Sequence, residues 1–147
     1  MKFYLDNMLT RVAKWLRLMG IDTTIMQTTD TVLNDPQGVY ITGSIKHYLN
    51  WPVERKLYLE EDQINQQLNL ILLKFLSPEE IRPFSRCSIC NAKLTAIDKE
   101  QIRALIPGRV AENFKSFKYC QSCRKVYWQG SHFDRINAVF RKSGIAK

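Results

Sequence analysis

Cys87-Ser-Ile-Cys90 and Cys120-Gln-Ser-Cys123 are two C-x-x-C turns separated by twenty-nine residues, and they hold all four cysteines of the chain. Each such turn aims two thiolates at one point, and a pair of turns completes the tetrahedral S4 shell of a closed zinc site. The alternatives are two disulfides or four buried thiols. Disulfides go with secretion, yet Met1-Lys-Phe-Tyr-Leu-Asp6 leads into polar sequence without the apolar core of a signal peptide. A reducing, cytoplasmic setting and a structural Zn2+ are therefore expected. Four thiolates leave no open coordination position, so this metal would hold a fold together rather than react.

A second chemistry is suggested by Asp6, which ends the apolar run from Lys2 to Leu5. In a parallel α/β sheet, ligands gather beyond the carboxyl ends of the strands. A carboxylate at such an end, joined by others, can hold Mg2+ or Mn2+, activate a water and stabilise charge on a phosphodiester. Asp30 is the first companion, with Asp22 and Asp35 weaker ones. An aspartate after a strand is equally a good helix N-cap, and spacing alone leaves both readings open. There is no glycine-rich phosphate loop, and no serine or cysteine nucleophile in a recognisable setting. His47 reads as part of a surface turn, and His132 as a cap of the last helix or a phosphate contact.

The net charge of +8 over 147 residues is unevenly placed. Residues 1–84 hold nine Lys/Arg against ten Asp/Glu, whereas residues 85–147 hold thirteen against four. All the excess sits with the cysteines, interleaved with Phe114, Phe117, Tyr119, Tyr127 and Trp128. A basic half of this kind suggests a polyanion-binding module, and nucleic acid is the natural partner. Its candidate contacts are Lys115, Lys118, Arg124, Lys125, Arg135 and Arg141. Tyr127 and Trp128 could stack on bases or pack around the metal turns. A solvated surface that confers solubility and a face for an acidic protein partner are the competing readings. The longest apolar stretch, Leu68 to Leu76, is interrupted by Asn69 and Lys74 and is too short to span a bilayer, so no membrane partner is expected.

The elements that must position these residues follow from periodicity. Lys2 to Leu5 reads as a first strand. Met8, Leu9, Val12, Ala13, Leu16 and Met19 recur at helical spacing, Gly20 supplies a stop, and Arg11, Lys14 and Arg17 lie away from the apolar side, as candidate contacts to a phosphate backbone or as a solvated helix face. Strands are expected at Thr23 to Met26, Val39 to Thr42 and Lys56 to Leu59. A helix capped by Asp62 follows, with Ile64, Leu68, Ile71, Leu72 and Phe75 on one face. This alternation predicts an α/β fold, a small α/β/α sandwich with a mainly parallel sheet over residues 1–83. Ser77 to Ser85 reads as a linker. Residues 84–147 are expected to form a four-cysteine zinc ribbon, with a short helix from Asp98 to Leu105, strands at Phe117 to Tyr119 and Lys125 to Trp128, and a basic helix from His132 to Lys142.

Taken together, the two halves resemble a known family. Asp6-Asn-Met-Leu-Thr-Arg-Val-Ala-Lys-Trp-Leu-Arg-Leu-Met-Gly20, followed by Ile21-Asp22-Thr23, is similar to the opening of the mut-seven C-terminal RNase domain, a PIN-like nuclease fold. Arg86 to Leu94, Cys120 to Cys123 and Val126-Tyr-Trp-Gln-Gly-Ser-His132 resemble the zinc ribbon attached to that domain. The resemblance implies a Mg2+- or Mn2+-dependent ribonuclease with Asp6 as its first acid and Asp30 as its second. Where such domains carry Thr-Arg-Asp, this chain reads Thr42-Gly43-Ser44, so the third acid is missing. The resemblance thus also implies an alternative, a degenerate scaffold that binds nucleic acid or protein without cleaving.

Overall fold

The computed structural model describes residues 1–27 and 35–130, together with Asp134 and Ala138. Asp30, His132, Arg135 and Arg141 lie outside the described residues, as does most of the expected final helix. Four strands, β1 (Phe3–Leu5), β2 (Thr23–Ile25), β3 (Val39–Thr42) and β4 (Lys56–Tyr58), form a wholly parallel sheet in the order β2-β1-β3-β4. The alternation of a strand sends Phe3 and Leu5 to one face and Tyr4 to the other. On the first face lies α1 (Thr10–Leu18), which buries Val12, Ala13 and Leu16. Beside it α3 (Ile64–Phe75) adds Leu68, Ile71 and Leu72 to the same core, and Phe75 meets the Phe3 ring edge-on at 6.0 Å. On the reverse face Tyr4 stacks on Tyr40 at 4.8 Å, and Trp51, just past α2 (Ile45–Asn50), packs edge-on against Tyr40. The expected α/β fold with helices over a parallel sheet is what forms.

Three local expectations are corrected. His47 lies within α2 rather than in a turn, because the Ser44 hydroxyl accepts from the His47 N–H at 3.3 Å and starts a helix there. Gln63, not Asp62, occupies the cap of α3, and no side chain bonds to its first turn. Met8 lies in a 3-10 turn and is 63 % exposed instead of joining the core.

The cysteine-bearing half is built on an antiparallel sheet of β5 (Thr95–Ile97), β6 (Phe117–Cys120) and β7 (Lys125–Tyr127). Two short helices, α4 (Lys99–Ile102) and α5 (Gly108–Asn113), contribute Ile102, Val110 and Ala111 to a second core with Ile106, Phe117 and Val126. Neither β5 nor α5 has a periodic signal long enough to be read in advance. Among the described residues no helix is long and apolar enough to cross a membrane.

The main core does not stop at Pro83. Phe84, Cys87, Cys120 and Tyr127 belong to the same buried cluster as Leu16 and Phe3. The segment leading to the first cysteine turn is fastened to the end of α1, with the N–H groups of Arg82 and Phe84 donating to the carbonyls of Met19 and Leu18. It passes so close to Gly20 that a Cβ there would sit 2.4 Å from the Arg82 carbonyl oxygen, and Gly20 has φ +87°. Sequence periodicity gave this glycine one duty, ending a helix; the packing gives it a second.

Arg17 completes the join. It is buried, and its Nε donates to the Thr23 carbonyl at 3.0 Å. Its Nη1 reaches the carbonyls of Ser88 and Ile89, inside the first cysteine turn, at 3.1 and 2.9 Å. Asn91 reinforces the contact by donating to Asp22 at 2.7 Å and accepting from the Thr23 N–H at 3.1 Å. Arg17→Ala strips three buried or half-buried carbonyls of their donor and should destabilise the protein by about 2–4 kcal/mol, read from denaturant unfolding with zinc in excess. Gly20→Ala should also destabilise, because both the backbone conformation and the contact with Arg82 must change.

Candidate functional site

The four cysteine Sγ atoms lie within 4.8 Å of one another, and they are the one group of three or more potential metal ligands among the described residues. A Zn–S distance of about 2.3 Å requires sulfurs about 3.8 Å apart in a tetrahedron; Cys90 and Cys120 are 3.5 Å apart. The donor set and its spacing fit a structural zinc ion. Both turns are built alike. In each, the N–H four residues on donates back to the first cysteine's carbonyl, from Asn91 to Cys87 at 2.9 Å and from Arg124 to Cys120 at 2.7 Å. That closure needs a left-handed residue after the second cysteine, and Asn91 and Arg124 have φ of 71° and 56°. Asn tolerates this conformation well, whereas arginine is held there against its preference.

Tyr127 organises the first turn from below. Its hydroxyl accepts from the Ser88 N–H at 3.0 Å and lies 3.1 Å from Cys87 Sγ. Burial pushes the Cys87 thiol up, but the Tyr127 hydroxyl and the N–H groups of Cys90 and Ile89 outweigh it and hold the group at about 6. Cys120 is pushed up chiefly by burial, and Cys123, whose thiol is stabilised by a hydrogen bond to Cys90 and by burial, rises to about 12. Four thiols this close cannot all ionise unless a cation neutralises them, which is the chemistry zinc supplies.

Asp6 lies at the carboxyl end of β1, where the strand order reverses between β1 and β3. This is the switch point at which α/β sheets bind ligands. Its carboxylate is 6 % exposed and already accepts three hydrogen bonds. Oδ1 takes the Met8 N–H at 3.1 Å, capping the 3-10 turn, while Oδ2 takes the Gly43 N–H at 3.1 Å and the Thr42 hydroxyl. Thr42 in turn accepts from the Ser44 N–H at 2.9 Å.

The weaker acidic companions are corrected by topology. Asp22 and Asp35 precede β2 and β3, so they stand at the opposite end of the parallel sheet from Asp6. Asp22 is engaged with Asn91, and Asp35 accepts from the Tyr4 hydroxyl at 2.8 Å, a bond that holds its carboxyl below the usual range. Glu60, exposed just past β4, shares the Asp6 end but lies two strand spacings, about 10 Å, away. A hard divalent cation needs several oxygen ligands at one point, and the described residues do not complete such a site.

The basic candidates divide. Arg11 and Lys14 are exposed on α1, Lys115 and Arg124 are exposed, and Lys118 and Lys125 are half-buried. Arg17 is not part of this surface, since helical rotation turns it into the joint between the halves. Tyr127 is buried, with its hydroxyl against the first cysteine turn and the Lys125 ammonium over its ring at 5.1 Å. Trp128 leans on Phe117 at 6.4 Å, on the side of the second core. The structure does bring Arg11, Lys14 and Lys125 to one groove of about 330 Å3, in which the aromatic side chain is Trp15 with Tyr127 behind it. Trp15 went unremarked in the sequence reading, although its place four residues after Arg11 puts the two on one helical row.

Purified protein should carry one tightly bound zinc per chain, and stripping it with a chelator should unfold the cysteine-bearing half, followed by circular dichroism and metal analysis. Tyr127→Phe leaves the Ser88 N–H without its partner and should cost about 1–3 kcal/mol of stability. Arg124→Gly should stabilise by about 1 kcal/mol through relief of the left-handed backbone.

No curated protein and no solved structure matches the chain. Residues 1–140 match the Mut7-C RNAse domain, a span that takes in both the parallel sheet with Asp6 and the four-cysteine centre. The chain belongs to the Mut7-C RNAse domain family.

Proposed function

We propose that this protein binds RNA through its cysteine-bearing half, as a member of a ribonuclease-domain family whose divalent-metal centre is reduced. The observation that carries the reading is the unneutralised charge of that half. Among the described residues, Lys115, Lys118, Arg124 and Lys125 take part in no ion pair; the pairs that do form are Arg86 with Asp22 and Arg103 with Glu100. Cations left free in this way exchange small counterions for phosphates, and the released ions drive binding. Arg11 and Lys14 extend the basic surface onto α1. His132, Arg135 and Arg141 add to the basic content of this half in sequence and lie outside the described residues.

A second reading is supported by the place of Asp6 at the switch point. Here Asp6 and Asp30 would hold Mg2+ or Mn2+, which would supply an activated water for phosphodiester hydrolysis. The three hydrogen bonds already made by Asp6 and the neutral Thr42-Gly43-Ser44 favour binding without cleavage.

Affinity for RNA should fall linearly with salt on logarithmic axes, by a slope of roughly 0.7 per phosphate contacted on a single strand. Reversing Lys115, Lys118 and Arg124 to glutamate should flatten that slope and weaken binding by roughly tenfold or more. Unchanged affinity in that variant would remove the basis of the proposal. Incubation of labelled RNA with Mg2+ or Mn2+ separates the two readings: binding without cleavage is expected, whereas metal-dependent cleavage lost in Asp6→Asn would establish the nuclease.

A further inference from the structure

We propose that the groove between α1 and the first cysteine turn is a binding site for single-stranded RNA, with an unpaired base stacked on Trp15 and phosphates held by Arg11, Lys14 and Lys125. The inference rests on the RNA-binding reading above and specifies where the strand lies and which form of RNA it must be. Two segments far apart in sequence build the site. From α1 come Arg11, Lys14, Trp15 and Leu18, related by the three- and four-residue steps that share one helical face. From the cysteine-bearing half come the tip of the first turn, where Ile89 is 54 % exposed, and the face of β7 that carries Lys125.

The alternation of β7 sends Val126 into the second core and turns Lys125 and Tyr127 toward α1. Lys118 pairs directly with Tyr127 across the ladder and shares that face, so the positive stripe continues past the groove. Its width is set from inside. By binding the Ser88 and Ile89 carbonyls, Arg17 draws the cysteine turn against the same helix that presents Arg11 and Lys14. Among the described residues, three cations and no acidic side chain line the result.

At about 330 Å3 the groove is at the small end of ligand clefts, which run from about 300 to 1,000 Å3. Trp15 is half-buried and packs against the main core, so its ring is a fixed platform. Bases within a duplex are stacked on each other and cannot reach a ring recessed in a groove; an unpaired base can. Stacking of this kind accepts any base because each has a π-face. The site should therefore prefer single strands strongly and discriminate weakly among sequences.

The test measures binding of a short fluorescent single-stranded RNA, and of the same RNA annealed to its complement, to the full zinc-loaded chain. The wild type should bind the single strand roughly tenfold or more tightly than the duplex. Arg11→Glu with Lys14→Glu alters exposed side chains and leaves the core alone; it should weaken single-strand binding roughly tenfold or more. Trp15→Ala should weaken it by a similar factor and Trp15→Phe much less, with unfolding curves and zinc content checking that both remain folded. Arg109→Glu, half that charge change, placed on the exposed start of α5, should shift affinity less than twofold. Tight RNA binding with all groove variants equal to Arg109→Glu would overturn the groove and leave the RNA-binding reading standing. Equal affinity for duplex would overturn the single-strand assignment. If the wild type binds neither RNA, the RNA-binding reading itself fails, and binding of a poly-glutamate peptide lost in the Arg11/Lys14 variant would then identify the groove as a protein-docking face.

Discussion

A guanidinium buried among backbone carbonyls holds the two halves of this protein in register. Arg17 carries a charge that costs several kcal/mol to remove from water unless it is paired and hydrogen-bonded. Here it is met by the carbonyls of Thr23, Ser88 and Ile89 and by the negative potential of Cys90 and Cys87. A zinc ion bound by four thiolates keeps a net negative charge, so metal loading would not oppose this contact. The consequence is mutual dependence. Without the ordered cysteine turn the arginine loses two of its three acceptors, and without the arginine the Ser88 and Ile89 carbonyls lose their tie to α1.

Asp6 makes a comparable joint within the α/β half. One oxygen caps the turn that starts the first helical segment, and the other gathers the Thr42 hydroxyl and the Gly43 N–H from the neighbouring strand end. A residue in the position of a catalytic acid thereby also fixes the crossing of β1 and β3. Among the described residues its surroundings are neutral in the places where a divalent cation would need carboxylates, and the parallel topology carries Asp22 and Asp35 to the far end of the sheet. The described residues thus place one well-bonded carboxylate at this ligand-binding position.

The groove follows from the joint rather than from either half. Arg11, Lys14 and Trp15 would be a plain outward stripe of α1 if nothing stood opposite, and Lys125 would be one more lysine on a short ribbon. Drawing the cysteine turn against the helix makes them two walls of one cleft. The same rotation of α1 that turns Arg17 inward leaves its basic neighbours facing out.

Much of this was legible in the residues themselves. The C-x-x-C spacing dictates a four-thiolate centre because two such turns can converge on one ion with little further help. The Lys2 to Gly20 pattern dictates a strand and then a helix because apolar periodicity and a left-handed stop are local properties. The motifs at both ends were enough to point to the family. Short elements such as α2, α5 and β5 escaped because three to six residues carry no dependable period, and their formation depends on a Ser44 cap or on neighbouring strands. Which arginine is a surface cation and which is an internal clamp was beyond reach, since Arg11 and Arg17 differ only in what lies opposite them. The sequence by itself determined the metal ligands, the parallel sheet and the charge imbalance. Tertiary structure alone decided that Arg17 is structural, that Tyr127 supports the metal turn and that Trp15 lines the groove, because burial and partnership are properties of the space between segments rather than of any segment alone.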